Sequence, residues 1–430
     1  MHTMCILPKK RRTTPETKES PVNIVIVGAQ WGDEGKGKMV DYLAEDAKIT
    51  VRYSGGANAG HTIITGNTTY KVHLVPSGIV GKDKIAVLGS GMVIDPEALF
   101  SELEELKSQG LDWEGRVLVS DRAHLVLPHY KDLDKDMESK RRIPIGTTGR
   151  GIGIAYAQKA QRDGLRVGDL YSQSVWNTLS ESEKSYLTPY KDKMKSMVIN
   201  QASFMAKHKG ENTLFEGAQG VLLDLDIGTY PFVSSGVSAA AGASLGGGIG
   251  PRAIDKILGV FKAYCTRVGN GPFPTEFKAG RDEEKGLKLR EIGKEFGVTT
   301  GRARRCGYLD LVALKYVVQT NSIDGLIITK MDIYDTFDEI SVCTAYDING
   351  TKTEDFPTSC DELETVVPVT KSFKGWMTDL TACKSYLDLP QEAKVYLKFI
   401  EDYLGTPISV VSVGPDRDQT FYREAVWTKS

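Results

Sequence analysis

The fold class is decided by residues 22–39, which read VNIVIVGAQWGDEGKGKM. Residues 22–27 are a continuous apolar run rich in β-branched residues, which is typical of a strand buried on both faces of a parallel sheet. A glycine-rich turn follows, and helical spacing begins at Lys38 and runs to Ala47. A strand, a glycine-rich turn and a helix in this order predict an α/β protein with a phosphate-binding turn.

Seven further short apolar runs are predicted strands, and most precede a glycine-containing loop: 49–53, 85–88, 117–119, 213–215, 258–262, 325–328 and 408–412. Helical patterns such as 96–109 and 309–321 separate several of them. This alternation predicts a large, mainly parallel central sheet with helices on both faces, a P-loop-like phosphate site and small subdomain excursions. Because no Pro/Ser-rich linker divides the chain, we expect one domain over 22–430, after a disordered tail over 1–21. Residues 349–390 look polar and irregular.

Composition narrows the function classes. The 54 Lys+Arg and 56 Asp+Glu residues give a net charge of −2, which argues against a globally basic nucleic-acid binder. The chain has no apolar run of about 18 residues, and its first residues lack the apolar core of a signal peptide. The six cysteines have no metal-site spacing and are interpreted as reduced thiols. We therefore expect a cytoplasmic protein without nucleic-acid or membrane partners; the KKRR run at 9–12 is either an address or part of a solvated tail.

The glycine-rich turn fits GxxxxGK, with Gly32, Gly37 and Lys38 in the fixed positions. Met39 stands where a P-loop has the Ser or Thr that binds Mg²⁺, so another oxygen ligand is needed. Asp33, inside the loop, is the nearest hard donor. The alternative is a tight structural turn with surface lysines.

Three other segments suggest binding chemistry, and a fourth suggests acid catalysis. Residues 329–332, TKMD, resemble the guanine signature of GTP-binding proteins, in which Asp332 would accept hydrogen bonds from N1–H and N2 of guanine. The loops TTGRARR (299–305) and IGTTGRGIG (145–153) suit a dicarboxylate or a phosphate. His61 follows a predicted strand in a glycine-rich loop, where an acid catalyst is placed well. Each segment also has a structural alternative. TKMD could be a cap or a surface pair at a strand end, the two loops could be plain glycine-rich turns, and His61 could be a structural histidine.

Taken together, these motifs resemble adenylosuccinate synthetases from about Val22 to the C-terminus. The matching stretches are GAQWGDEGKGK (28–38), GGANAGHT (55–62), IGTTGRGIG (145–153), FEGAQG (215–220), TRVGNGPFPTE (266–276), TTGRARR (299–305), TKMD (329–332) and SVGPDR (412–417). The resemblance implies a GTP-dependent ligase that joins IMP and L-aspartate into adenylosuccinate through 6-phosphoryl-IMP, releasing GDP and phosphate. It also implies one Mg²⁺ per subunit and a homodimer, acting at the first committed step from IMP to AMP.

The same resemblance assigns roles to individual positions. Asp33 is the expected base, His61 the expected acid, and Lys36 and Gln219 are further catalytic residues; Asp33 and the Gly60 carbonyl would bind Mg²⁺. The expected GTP-binding residues are Gly32, Asp33, Glu34, Gly35, Lys36, Gly37, Lys38, Gly60, His61, Thr62, Arg304, Lys330, Met331, Asp332, Ser412, Val413 and Gly414.

The expected IMP-binding residues are Asp33, Glu34, Gly35, Lys36, Asn58, Ala59, Gly60, His61, Thr148, Gln219, Ser234 and Arg302, with Arg162 reaching across the dimer interface. L-aspartate would be bound by Val298, Thr299, Thr300, Gly301, Arg302, Ala303 and Arg304.

Two departures from the family pattern stand out. Ser-Ser-Gly-Val at 234–237 replaces the usual Thr-Ser-Ser-Asn, and the segment between Asp169 and Thr213 is shorter than in many members. Two other functions remain open at this point. The phosphate loop and TKMD alone are compatible with a GTPase switch, and the departures with a catalytically inactive binding protein.

Overall fold

A ten-stranded sheet organises the chain in the computed structural model, which describes residues 20–58, 60–65, 68–278, 280, 282–296 and 303–429. The strands are β1 (Asn23–Gly28), β2 (Ile49–Arg52), β3 (His61–Thr65), β4 (Thr68–Val72), β5 (Ile85–Leu88), β6 (Val93–Ile94), β7 (Val117–Ser120), β8 (His124–Leu125), β9 (Val198–Ile199), β10 (Thr213–Gly220), β11 (Lys256–Lys262), β12 (Cys265–Arg267), β13 (Arg305–Gly307), β14 (Leu309–Asp310), β15 (Gly325–Thr329), β16 (Glu339–Ile348), β17 (Thr351–Thr353), β18 (Val367–Lys374), β19 (Ile408–Ser412) and β20 (Thr420–Tyr422).

The α-helices lie mostly between these strands. They are α1 (Lys36–Leu43), α2 (Pro96–Ser108), α3 (Pro128–Lys140), α4 (Ile152–Gln161), α5 (Gln173–Thr178), α6 (Glu181–Lys195), α7 (Gln201–Lys207), α8 (Gly242–Gly247), α9 (Glu283–Gly293), α10 (Leu311–Asn321), α11 (Cys360–Thr365) and α12 (Gln391–Leu404).

The order of strands in the large sheet is β20-β19-β15-β11-β1-β10-β2-β5-β7-β9. Its strand pairs are parallel, except that β20 runs antiparallel to β19. The mainly parallel α/β fold is therefore confirmed. Because the carboxyl ends of parallel strands meet at one edge, the loops after β1, β2, β10, β11 and β15 share that edge, where ligands of such sheets bind.

The central strand β1 is buried on both faces, as its apolar run predicts. Ile24 and Ile26 pack in one cluster with Met39 of α1, whereas Val25 and Val27 belong to the cluster on the opposite face. Burying a side chain of this kind stabilises the fold by roughly 1.5–3 kcal/mol. This packing fixes the position at which the phosphate turn leaves the sheet.

Each of the eight predicted strands is present, with ends shifted by a few residues. The predicted helix over 38–47 is α1, which begins earlier, at Lys36, and ends earlier, at Leu43. The expectation for 349–390 was wrong: this region contains β17, β18 and α11, and both strands pair with β16 in a small second sheet with β14. The 1–21 tail, apart from its last two residues, lies outside the described residues.

Two negative findings concern the described part of the chain. None of its helices has both the length and the apolar character that crossing a membrane requires. Cys265, Cys306, Cys343, Cys360 and Cys383 are free thiols there.

Candidate active site

A cavity of about 810 Å³ lies at the carboxyl edge of the large sheet. Its volume is in the range of ligand-binding cavities. It brings together most of the predicted site residues: Gly32, Asp33, Glu34, Gly35, Lys36, Gly37, Lys38, Asn58, Gly60, His61, Thr62, Thr148, Gln219, Ser234, Arg304 and Lys330.

The phosphate loop joins β1 to α1 through a run of left-handed backbone. Gly32, Asp33 and Gly35 have φ angles of 88°, 60° and 84°. Gly35 is the N-cap of α1 and provides no side-chain cap, so the helix N-terminus is open to an anion. The loop therefore has the geometry that its glycine spacing predicts.

Glu34 stabilises the phosphate loop from its buried side. Its fully buried carboxylate accepts hydrogen bonds from the backbone N–H groups of Gly32 (2.8 Å) and Gln30 (3.2 Å), and from Lys36 Nζ at 2.6 Å. A carboxylate with three such donors shapes the phosphate loop.

Asp33 lies on the open side of the loop. Its side chain is 37% exposed, and its Oδ2 is 2.7 Å from Nε of Arg304. The left-handed backbone is uncommon for a non-glycine residue and often marks a functional position. Asp33 thus presents a charged, accessible oxygen to the cavity.

Lys38 connects the phosphate loop to the C-terminal part of the chain. Its ammonium donates to Ser412 Oγ (2.7 Å) and to the Gly414 carbonyl (2.6 Å). Burial lowers the pKa of Lys38 to about 8, although the nearby charges of Asp332 and Asp416 oppose this shift. The interaction with Asp332 places the TKMD segment near Lys38 as well.

The TKMD segment follows β15. Thr329 Oγ1 donates to the Glu34 carbonyl at 2.7 Å and so ties this segment to the phosphate loop. Lys330, with φ 58°, donates to the Gly293 carbonyl (2.8 Å) and to Glu295 (3.0 Å). Asp332 is partly buried, and this desolvation raises its pKa even though Lys330 and Lys38 oppose the change.

His61 begins β3 and lines the cavity with its ring 10% exposed. Its Nδ1 lies 2.7 Å from Glu216 Oε1 and 3.0 Å from Ser77 Oγ. Glu216, on β10, is fully buried and also accepts from the Ser77 N–H at 2.8 Å. Burial alone would raise its pKa, but the hydrogen bond to His61 and the charge of buried Arg52 lower it overall. An ionised carboxylate on Nδ1 leaves Nε2 for chemistry.

Sequence reasoning did not assign a role to Glu216, although it stands in the FEGAQG stretch. The available signal was an acidic residue inside an apolar strand, which requires a buried partner. Glu295 was also missed; it accepts hydrogen bonds from Lys330 and from Arg304 Nη1 (2.7 Å).

Gln219 marks the other side of the cavity. It has φ 55°, and both polar atoms of its side-chain amide are buried without a hydrogen-bond partner in the described structure. Buried polar atoms are normally paired, so these two atoms indicate a bound group. Ser234 and Thr148 line the same side. Residues 234–237 are the segment that differs from the family pattern. A Cβ added at Gly236 would lie 2.9 Å from Ser54 Oγ and from Tyr156 OH, which explains the glycine at this position.

Several predicted residues are not among those lining the cavity. Met331 and Val413 are buried, Ser412 and Gly414 accept hydrogen bonds from Lys38, and Asp332 lies near Lys38. Arg162 is exposed at the C-terminal end of α4, and Ala303 is exposed and forms a bridge with Phe296. Ala59, Val298, Thr299, Thr300, Gly301 and Arg302 lie outside the described residues.

Comparison with known proteins identifies the family. The adenylosuccinate synthetase family model matches residues 25–421. The chain belongs to the adenylosuccinate synthetase family. It is 48% identical to adenylosuccinate synthetase of Clostridium novyi (strain NT), covering 92% of this chain and 98% of that protein. The Aquifex aeolicus (strain VF5) enzyme is 46% identical, with 94% and 97% covered.

A solved structure agrees with this assignment. The fully ligated adenylosuccinate synthetase from Plasmodium falciparum superposes with a TM-score of 0.86 at 38% identity, covering 93% of this chain and 99% of that chain. The chain is thus an adenylosuccinate-forming ligase of AMP biosynthesis (EC 6.3.4.4), which converts IMP, L-aspartate and GTP to adenylosuccinate. The ligase interpretation, and not the GTPase switch, is confirmed.

Proposed function

We propose that this ligation proceeds in two steps in the cavity, with Asp33 as base and His61 as acid. Asp33 accepts the N1 proton of IMP while O6 attacks the γ-phosphorus of GTP, and the bond from that phosphorus to the β-phosphate bridge oxygen breaks. The amine of L-aspartate then attacks C6, the C6–O6 bond breaks, phosphate leaves with O6, and one amine proton passes to the leaving phosphate. The supporting observation is that an accessible carboxylate and a carboxylate-backed imidazole line the same cavity.

The charges on the cavity suit this chemistry. Phosphoryl transfer depends mainly on positioning and on neutralising phosphate charge. The open N-terminus of α1 and the ammonium group of Lys38 supply positive potential beside Asp33, whereas the charge of Lys36 is paired with Glu34. His61 donates a proton or hydrogen bond from Nε2 to the oxygen on which charge develops.

The substrates would be distributed over the remaining predicted residues. GTP lies along the phosphate loop towards Asp332 and the 412–414 loop. IMP is held by the unpartnered Gln219 amide with Asn58, Thr148 and Ser234. L-aspartate is bound by residues 298–304, of which Ala303 and Arg304 are described. Lys36 and Gln219 contact the transferred group.

Mg²⁺ is part of this proposal. Among the described residues, no three His, Cys, Asp or Glu side chains form a metal cage. Mg²⁺ needs no such cage, because phosphates and water supply most of its ligands. The exposed Asp33 carboxylate and the exposed Gly60 on the cavity wall provide suitable hard oxygens, so the residues fit the ion. When bound, it neutralises phosphate charge.

The two-step route is tested by oxygen transfer. IMP labelled with ¹⁸O at position 6 is converted with GTP and L-aspartate, and the released phosphate is analysed by mass spectrometry. We expect the label in the phosphate, because O6 becomes a phosphate oxygen in the intermediate. Label in water instead would contradict 6-phosphoryl-IMP without affecting the overall ligation.

Guanine selection by Asp332 is tested with Asp332→Asn. An amide at this position can pair with xanthine, so preference should shift from GTP towards XTP by about 10- to 100-fold in kcat/KM. Asp379→Asn, which changes a nearby surface carboxylate, is the matched control. Unchanged base preference in Asp332→Asn would show that TKMD is not the guanine reader.

Finally, we propose that residues 22–430 act as one cytoplasmic unit that forms a homodimer, with Arg162 reaching the IMP site of the partner. Arg162 is exposed at the end of α4 and is not itself part of the cavity lining, although the preceding Gln161 is; its side chain is therefore available to a partner, which supports this arrangement. Arg162→Leu should raise the KM for IMP and leave that for GTP nearly unchanged. Mixing Arg162→Leu with inactive Asp33→Asn should restore activity at low IMP; no recovery would place Arg162 in its own site.

A further inference from the structure

Glu295 is the centre of a buried charge cluster outside the reacting centre. It lies just after α9, and its side chain is fully buried. Its Oε1 accepts hydrogen bonds from Tyr264 OH (2.6 Å), Lys330 Nζ (3.0 Å) and Lys262 Nζ (3.2 Å). Its Oε2 accepts from Arg304 Nη1 at 2.7 Å. One carboxylate therefore accepts hydrogen bonds from three basic side chains and a phenol.

The cluster keeps this carboxylate ionised. Burial alone would raise the pKa of Glu295, but the charges of Lys262, Lys330 and Arg304 hold it far below its usual range. A buried carboxylate surrounded in this way is costly to neutralise or displace. The cluster is thus a fixed element, and the side chains attached to it have fixed positions.

Two of these side chains belong to different parts of the proposed site. Lys330 is in the TKMD segment, whereas Arg304 contacts Asp33 on the phosphate loop through Nε. Glu295 also binds Arg304 through the main chain, because its carbonyl accepts from the Arg304 N–H at 2.9 Å. The chain of contacts Lys330–Glu295–Arg304–Asp33 joins the guanine segment to the base.

We propose that Glu295 is a positioning residue that couples guanine recognition to the placement of Asp33. Its two oxygens hold Lys330 and Arg304 in a fixed relation, so the nucleotide base and the reacting carboxylate are aligned by one group. The inference rests on the proposed roles of Asp332 and Asp33, and Glu295 itself contacts no reacting atom.

The test is Glu295→Gln in the full-length enzyme with all three substrates. Lys330 donates to Oε1 of Glu295 and Arg304 donates to Oε2, so an amide, which replaces one of these oxygens by an NH₂ group, loses one of the two hydrogen bonds. We expect kcat to fall about 100-fold through misplacement of Asp33, and the KM for GTP to rise about tenfold through loss of a charged hydrogen bond. The KM for IMP should stay within about twofold, since the hydrogen bonds and ion pairs of Glu295 with other described residues do not include Gln219, Thr148 or Ser234.

Three variants separate this role from a structural one. Glu295→Asp keeps the charge but is one methylene shorter, and should restore part of kcat. Tyr264→Phe removes only the 2.6 Å hydrogen bond and should produce a smaller change of the same kind. Glu276→Gln is the matched control, because Glu276 pairs with the neighbouring Arg305 at 2.7 and 2.5 Å and lies outside the cluster. Glu276→Gln should lower thermal stability, but the ratio of the KM for GTP to the KM for IMP should stay as in the wild type.

Coupling is measured by a double-mutant cycle of Glu295→Gln with Lys330→Met. If Glu295 transmits the effect of Lys330, the losses in kcat are less than additive. Additive losses, a KM for IMP that rises as much as that for GTP, or Glu295→Gln kinetics equal to those of Glu276→Gln would overturn the inference. Should Glu295→Gln fail to fold, Tyr264→Phe decides by the same kcat and KM criteria. Unchanged base preference in Asp332→Asn would instead refute the guanine reader itself.

Discussion

The proposed base and the proposed acid are held in opposite ways. Asp33 lies on a glycine-rich loop with left-handed backbone, is 37% exposed and has one ion pair, to Arg304. His61 is 10% exposed and its Nδ1 contacts buried Glu216 and Ser77. His61 is thus held by two direct side-chain contacts, whereas Asp33 is held by Arg304, which in turn donates to Glu295. The difference indicates that the position of the proposed acid depends on its immediate neighbours, and that of the proposed base on a longer chain of contacts.

The largest expected effect comes from removing the base. Asp33→Asn keeps the size of the side chain but cannot accept the N1 proton, so kcat should fall about 10³-fold. GTP binding, measured by calorimetry, should remain, because the loop and α1 are intact. Turnover close to that of the wild type would remove Asp33 from the mechanism.

The next effect tests the prearranged acid. Glu216→Gln can present its NH₂ group to Nδ1 of His61 and so select the wrong tautomer, which should lower kcat about 100-fold with little change in KM. Thermal unfolding must be measured alongside, since Arg52 loses a buried anion. If kcat falls only in proportion to the fraction of folded protein, Glu216 has a structural role and does not orient the acid.

A pH effect is expected on the loop side. The pKa of Lys38 is about 8, so the free enzyme carries the ammonium below this pH and the neutral amine above it. Because kcat/KM reports the free enzyme, kcat/KM for GTP should fall above pH 8, on the order of tenfold per pH unit. In Lys38→Arg the guanidinium stays charged and the decline should disappear. A profile that is the same in both proteins would exclude Lys38 as its source.

The smallest expected effect concerns Ser77, which contacts both His61 and Glu216. Ser77→Ala removes a hydroxyl that lies 3.0 Å from both Glu216 Oε1 and His61 Nδ1, but keeps the backbone N–H bond to Glu216. Loss of one such hydrogen bond corresponds to about 1 kcal/mol, so kcat should fall about fivefold. A loss as large as that of Glu216→Gln would mean that the hydroxyl, and not the carboxylate, orients His61.

Local sequence patterns predicted much of the fold and of the cavity. The phosphate loop, TKMD and the loop with His61 could be recognised because each is a short segment whose spacing reflects its own geometry. Glu216 and Glu295 could not, because their partners are distant in sequence: Ser77 and Glu216 are 139 residues apart, and Glu295 and Lys330 are 35 apart.

The second sheet was missed for a related reason. β18, VPVTKSFK, is mostly exposed and half of its residues are polar, so its hydrophobic pattern is weak. It is a strand because β16 supplies its hydrogen-bond partners. Hydrogen bonding to β16, a strand that is separate in the sequence, therefore determines the structure of β18 more than its own local sequence pattern does.

The hydrogen bond from Thr329 to the Glu34 carbonyl has a consequence for nucleotide length. It joins the TKMD segment directly to the phosphate loop, so the separation of these two segments is fixed. In the proposed binding mode, with guanine at Asp332, this fixed separation determines which phosphate of the nucleotide lies beside Asp33. On that proposal GDP binds along the same edge of the sheet, but it lacks the third phosphate, which is the group to be transferred.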